Sequence, residues 1–477
     1  MSNRSNTSYQ KGFLPYALAA FLIGLIGGLS TVLGPAFMLD MNLAYNNTTW
    51  TALSQAISTA ACAPILGKLV DIFGRRRTLL LGILIFTSGN ILSALAPSLI
   101  VLLLARFVVG IGTAAIAPTV MSYIVTEFPA AEIAKGFSLY MLLSSASVIF
   151  GPSLGGVILQ YGNWRTLMWI SVGICIVFFF LCLFTHPKAH YTPKKIKNFD
   201  ISGAILVIIF FSLLLCVPSF GQNFGWTSVS FLTVLLLSLI SLAGLFLAEK
   251  KASHPLLSAS FIVRKEFILS IIILFLTQGL MQANMTNTIV FINYTQPDNT
   301  IISAYAISIM YLGMSLGSIL LGPLSDRFEP KRILTSSLFL TGLGCALMLL
   351  YSTTTPFLIL ASALGILGFG LGANATIFMK IVLSNLPSES AGLGTGTYGL
   401  FRDLAAPFGV AIFVPMFTNE ITRLTSDSFA PHSASNAAVD SIHMLSFIEI
   451  CCIAIGILIV QFLPNIHKNN SLKGEHL

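Results

Sequence analysis

Charge is what this sequence has least of. Only 9 % of its 477 residues are Asp, Glu, Lys or Arg, against about 25 % in an average soluble domain. A soluble chain of this length could not cover its surface with so few charges. That excludes an ordinary cytosolic enzyme, a disordered chain and a small secreted scaffold. Cysteine is sparse and unpatterned. The seven cysteines (Cys62, Cys175, Cys182, Cys216, Cys345, Cys451 and Cys452) are odd in number and all lie inside apolar runs. They read as small apolar side chains, not as a disulfide framework or a metal site. Catalytic signatures are missing too: no GxxxxGK[ST] phosphate loop, no HExxH and no GxSxG. No enzymatic activity, metal or bound cofactor is expected.

What the sequence has in abundance is apolar length. Hydrophobic residues make up 55 % and the mean hydropathy is +0.88, so lipid is the solvent for most of the chain. Fourteen apolar runs of about 20 residues follow one another, from 13–38 to 444–464. Only helices or closed barrels satisfy their backbone in lipid, and these runs do not alternate as barrel strands would. The fold class expected is an all-α polytopic membrane protein with fourteen transmembrane helices. The first run is too long for a signal sequence and is read as an uncleaved span.

An even number of spans puts both termini on one side. All but four of the 25 Lys and Arg then fall at the same face if the termini are cytoplasmic. That asymmetry orients the chain in a cell membrane with both termini inside. It also accounts for the net charge of +8 without a nucleic-acid partner.

An internal repeat is present at an offset of 255 residues. Gly67, Leu69, Asp71, Phe73 and Arg77 recur as Gly322, Leu324, Asp326, Phe328 and Arg332. The organisation expected is a tail (1–12), a first six-helix half (13–186), a linker carrying two inserted helices (187–266), a second half (267–464) and a tail (465–477). Repeats of this kind are a transporter signature.

The segment Gly67–Arg77, with Asp71, Gly74, Arg75 and Arg76, resembles the signature loop between helices 2 and 3 of the major facilitator superfamily. Gly322, Asp326 and Arg327 echo it. Leu102–Ala114, containing Arg106, Gly110 and Gly112, is similar to the family's fourth-helix motif. Gly151, Pro152, Gly155 and Gly156 resemble the motif that separates its antiporters from its symporters. Trp164-Arg165, Gly225-Trp226 and His254-Pro255 are similar to features of the fourteen-helix drug:proton antiporter group, which includes bacterial multidrug and tetracycline exporters. The resemblance implies the major facilitator fold. It implies a conformational latch at Asp71 and a seal against proton leak at Gly151–Gly156. One departure stands out: the group's helix-1 acid is missing, and the first acid is Asp40 at the outer end of the span.

Proton exchange needs a group that titrates within the membrane, and intramembrane charges are costly to keep without a use. The candidates are Asp403 beside Arg402, ranked first, then Asp40 and Glu449, with Arg106 as an intramembrane cation. Arg402 and Asp403 are neighbours that point about 100° apart on a helix, so each needs its own partner. Arg106 reads either as functional or as a structural cation satisfied by span-1 carbonyls. The ninth span carries a polar stripe, Gln278, Gln282 and Thr286, at helical spacing, with Asn287 beside it. Together with Asn374 it reads as a substrate-contacting face or as interhelical hydrogen bonding alone. The function expected is export of amphipathic small molecules in exchange for protons by alternating access, as a monomer in the bilayer. The alternatives are an exporter of one metabolite or fatty acid, or a facilitator without proton coupling.

Overall fold

The structure is a computed structural model. It describes residues 8–41, 45–128, 133–185, 201–251, 265–297, 301–384, 391–426 and 433–463. All regular elements among them are helical. Seven helices precede the linker: α1 (Ser8–Ser30), α2 (Leu33–Met41), α3 (Tyr45–Phe73), α4 (Arg75–Ala94), α5 (Leu99–Glu127), α6 (Ile133–Tyr161) and α7 (Trp164–Thr185). The inserted pair is α8 (Ile201–Phe224) and α9 (Val229–Lys251). Six more follow: α10 (Lys265–Thr295), α11 (Ile301–Arg327), α12 (Pro330–Leu347), α13 (Phe357–Ser384), α14 (Ala391–Thr425) and α15 (Ala434–Gln461). Among the described residues, ten helices are long and apolar enough to cross a membrane.

These elements match the fourteen apolar runs, with one run split in two. The first is broken at Thr31–Val32 into α1 and α2. The cause is local: Pro35 has no N–H to give to the carbonyl four residues back, so the helix cannot run through. Hydroxyls bond back onto the preceding turn there, Ser30 Oγ donating to Ile26 O at 2.9 Å and Thr31 Oγ1 to Gly28 O at 2.7 Å. Between α3 and α4 the turn is made by Gly74 at φ 84°, a left-handed conformation that a side chain would strain.

The chain divides into two compact units, 1–258 with 301–308, and 259–300 with 309–477. The inserted helices group with the first: α8 packs on α3 and α9 on α8. Within each unit the same helix pairs recur. Unit 1 pairs α1 with α6, α4 with α5, and α7 with both α1 and α4. Unit 2 pairs α10 with α14, α12 with α13, and α15 with both α10 and α12. Shifted by 255 residues, α4 falls on α12 and α3 on α11, so the repeat read from one motif extends to the helices. The longer stretch before Ala434 displaces α15 from that register.

The core of unit 1 is apolar, with Tyr16, Leu22, Phe37, Leu79, Phe86 and Trp164 fully enclosed. In both units helix pairs touch backbone to backbone at glycines. A side chain at Gly151 on α6 would overlap the Gly28 backbone of α1, and one at Gly409 on α14 would overlap Gly279 of α10. Small residues at such crossings let helices in lipid gain packing that large ones forbid.

Candidate functional site

The most unusual side chain of unit 2 is Glu449. It is 0 % exposed and lies about 22 Å and 18 Å from the two ends of α15, at 1.5 Å per residue. Asn284 Nδ2 of α10 donates to its Oε1 at 3.0 Å, and Cys345 Sγ of α12 donates to its Oε2 at 3.4 Å. Both partners are neutral. Among the described residues no cation lies within ion-pair distance of it. An ionised carboxylate taken out of water without a cation is very costly, so a group in this setting is kept as the neutral acid until water or a cation reaches it.

Helix α10 places this site. Its Asn284 also donates to Leu280 O at 3.0 Å, which fixes the amide against its own helix. Asn287 is fully buried one turn further on, and neither of its side-chain polar atoms has a partner among the described residues. Phe291, another turn on, meets the Tyr351 ring with centroids 5.4 Å apart. At 100° per residue, 284, 287 and 291 share one face, and the stripe 278, 282 and 286 lies about 180° away. On that opposite face Gln278 is buried, and Gln282 and Thr286 are half-buried, Thr286 Oγ1 donating to Gln282 O at 3.1 Å. Asn287 therefore sits with Asn284 and apart from the stripe. Asn374 on α13 is fully buried. It accepts from Ser337 Oγ of α12, and its Nδ2 has no partner among the described residues.

Unit 1 holds its charges differently. Asp40, at the end of α2 beyond the apolar 13–38 run, is well exposed and paired. Arg165 Nη1 donates to it at 2.6 Å and Trp164 Nε1 at 2.9 Å. The indole bond first, then the guanidinium, hold its carboxyl below the usual range. Arg106 is buried, with Met168 Sδ 3.7 Å from Nη2 and the Phe37 ring 5.9 Å from Cζ. No carboxylate pairs with it among the described residues. Arg75 bonds Glu127 at 2.6 Å, and Arg76 donates to Leu183 O at 3.4 Å.

The motif glycines lie at crossings. Gly67 faces Pro118, Gly155 faces Val32, and Gly156 faces Ala304. Ser153, inside the Gly151–Gly156 motif, donates from N and Oγ to Ser308 Oγ at 3.1 and 2.7 Å, within unit 1. Pro152 packs against Gly28, and Gly322 is buried. The side chains of Asp71, Asp326, Arg327, Arg402 and Asp403 lie outside the described residues, though their backbones are helical.

Sequence reasoning missed the partners of Glu449. Cys345 read as a small apolar residue, and Asn284 was not among the candidates. A signal was available in the repeat: Cys345 stands 255 residues after Asn90, and both occupy buried positions on equivalent helices.

Comparison with known proteins places this arrangement. The Major Facilitator Superfamily model matches residues 16–410. The chain is 25 % identical over 398 residues to the multidrug resistance protein Stp of Mycobacterium tuberculosis (strain CDC 1551 / Oshkosh), covering 83 % of this chain and 73 % of that protein. It is 24 % identical to the riboflavin transporter RibZ of Clostridioides difficile (strain 630), over 95 % of this chain and 97 % of that one. In fold it is similar to the xylose transporter XylE from E. coli, with a TM-score of 0.62 at 14 % identity, covering 99 % of this chain and 100 % of that chain. With its fourteen apolar runs folded as helices and its helix pairs repeated in two units, the chain belongs to the major facilitator superfamily and is one of its multi-pass membrane transporters.

Proposed function

We propose that this transporter exports amphipathic small molecules from the cytoplasm in exchange for protons by alternating access, with Glu449 as the group that carries the proton. The observation that carries the reading is the burial of Glu449, about midway along α15, between two neutral partners. Such a carboxyl is stable when protonated and unstable when ionised, so changes in its surroundings would drive uptake and release. Asp40 suits the task less well, because an exposed carboxylate held ionised by Arg165 has no reason to take up a proton near neutral pH. The half-buried Gln282 and Thr286 supply polar contacts for cargo. Relatives named for multidrug resistance support the breadth of the substrate class.

A second reading has one specific support, the riboflavin transporter among the relatives, matched over nearly its whole length. In that reading the chain moves one metabolite. A single experiment separates them: everted vesicles energised by a pH gradient and offered ethidium, tetracycline and riboflavin in turn. Uptake of both drugs that stops when the gradient is collapsed is the expected result. Movement of riboflavin alone would favour the second reading, and uptake indifferent to the gradient would sink proton coupling.

A further inference from the structure

We propose that Glu449 exchanges its proton with the outer side of the membrane along a hydrated seam inside unit 2, lined by Asn287, the Tyr351 hydroxyl and Ser441, and separate from the 278–282–286 face of α10. The inference rests on the reading of Glu449 as the proton carrier.

Three elements run alongside one another from Glu449 to the start of α15. Helix α10 lies antiparallel to α15: Leu276 is level with Gly456, Asn284 with Glu449, and Tyr294 with Ser435, whose Oγ donates to Tyr294 O at 3.0 Å. Helix α12 follows the same register. Gly342 is level with Ile453 and Cys345 with Glu449, and Tyr351 O meets His443 Nε2 at 2.9 Å. Asn287 is bracketed on its face by Asn284, which touches Glu449, and by Phe291, which touches Tyr351. Ser441 lies two turns from Glu449 on the buried side of α15.

Along this stretch four side-chain atoms are buried without partners among the described residues: both polar atoms of Asn287, Tyr351 Oη and Ser441 Oγ. Buried polar groups are nearly always satisfied, and those without a protein partner are the places where internal water is held. None of these groups ionises near neutral pH. Their part is to hold water that relays a proton. The transfer itself forms one O–H bond on the Glu449 carboxylate when a proton arrives, and breaks it on release.

The direction follows from where the unpartnered groups lie. On α10, on α15 and on the segment from α12 to Tyr351 they all stand on the side of Glu449 toward the start of α15. On the other side Thr277, Ser337 and Thr341 bond to carbonyls of their own helices, and α15 offers from Ile450 to Val460 only apolar side chains and the thiols of Cys451 and Cys452. The polar end is the one poor in Lys and Arg, which the charge distribution assigns to the outside. The titratable groups around Glu449 are few. Cys345 faces it from α12, Cys452 lies one turn on along α15, and α10 presents only the uncharged Asn284 amide. The charged side chains described on α14, Glu420 and Arg423, pair with each other at its far end. Asp440 and His443 stand near the start of α15.

The test uses the full chain in right-side-out vesicles with inner and outer pH set separately. Carbodiimide modification of Glu449, which requires the protonated acid, is read by mass spectrometry. Raising the outer pH should suppress modification. Tyr351→Phe and Ser441→Ala, which remove only a hydroxyl, should each slow that response about tenfold and leave ethidium affinity within about twofold. Modification that follows the inner pH alone, or variants that respond at the wild-type rate, would overturn the seam. Glu449→Gln measured in everted vesicles separates the two claims. If it keeps gradient-driven efflux, the carrier reading fails. If it loses efflux while modification in the wild type tracks the inner pH, the seam alone fails.

Discussion

Asn284 Nδ2 donates to Glu449 Oε1 at 3.0 Å, joining α10 to α15 through one hydrogen bond about midway along α15. The bond links a helix with a polar stripe on its opposite face to the only acid described deep inside unit 2. Its first consequence is for coupling. Glu449→Gln preserves shape and can keep the Asn284 contact, so the protein should fold with an unchanged melting temperature in detergent. Drug uptake into everted vesicles driven by a pH gradient should fall to background while downhill exchange continues.

Asn284→Leu should behave differently. It removes the donor and leaves the buried carboxyl with only the Cys345 thiol, which costs about 1–3 kcal/mol for an unsatisfied buried polar group. Thermal unfolding should reveal that loss. Asn284→Asp would set a second carboxyl against the first, and like acids at this distance cannot both ionise. Its stability should therefore fall more steeply with rising pH than that of the wild type, which buries one acid there instead of two.

Asp40 provides a prediction of opposite sign. The fold lowers its pKa through Trp164 and Arg165, so the ionised form is favoured by the folded state. That contribution is complete above the unfolded carboxylate value. It is lost as the pH falls through the lower folded value. The melting-temperature difference between wild type and Asp40→Asn should therefore be constant near neutral pH and vanish only in acid. Gradient-driven efflux by Asp40→Asn should equal that of the wild type.

Substrate choice and stability should separate at Gln282. Its side chain is half-buried and makes no hydrogen bond to another helix among those described. Gln282→Ala should change the relative efflux of ethidium and tetracycline and leave the melting temperature in place. An unchanged ratio would count against the stripe as a cargo surface.

Backbone contact gives the last prediction. At Gly409 a methyl group would overlap Gly279, and overpacking of that kind costs about 1–3 kcal/mol. Gly409→Ala should lower the melting temperature clearly. Ala at Gly27, where a methyl group meets nothing within 4 Å, should not.

The fold was legible because it is written in long local runs. Lipid demands helices wherever apolar residues continue for 20 positions, and no distant contact is needed to see it. The split at Thr31–Val32 was also local, signalled by Gly34-Pro35, but a single apolar run masked it. The candidate site was legible only in part. Glu449 stood out because an acid inside a span is rare. Its partners did not, since Asn284 and Cys345 are brought to it from 165 and 104 residues away by helix pairing that no local pattern encodes. The polar stripe was read as one surface. Asn287 proved to belong to the other side of α10, because one residue turns a helix by about 100° and the next position after Thr286 already leaves its face.

The contact between Gly279 and Gly409 has a mechanical consequence. Where two backbones touch, neither helix can turn against the other without being lifted away from it. Helices α10 and α14 therefore behave as one beam. A shift that begins at Glu449 and pulls on Asn284 would move that beam whole, carrying the stripe at 278–286 and the segment around Arg402 and Asp403 through the same displacement.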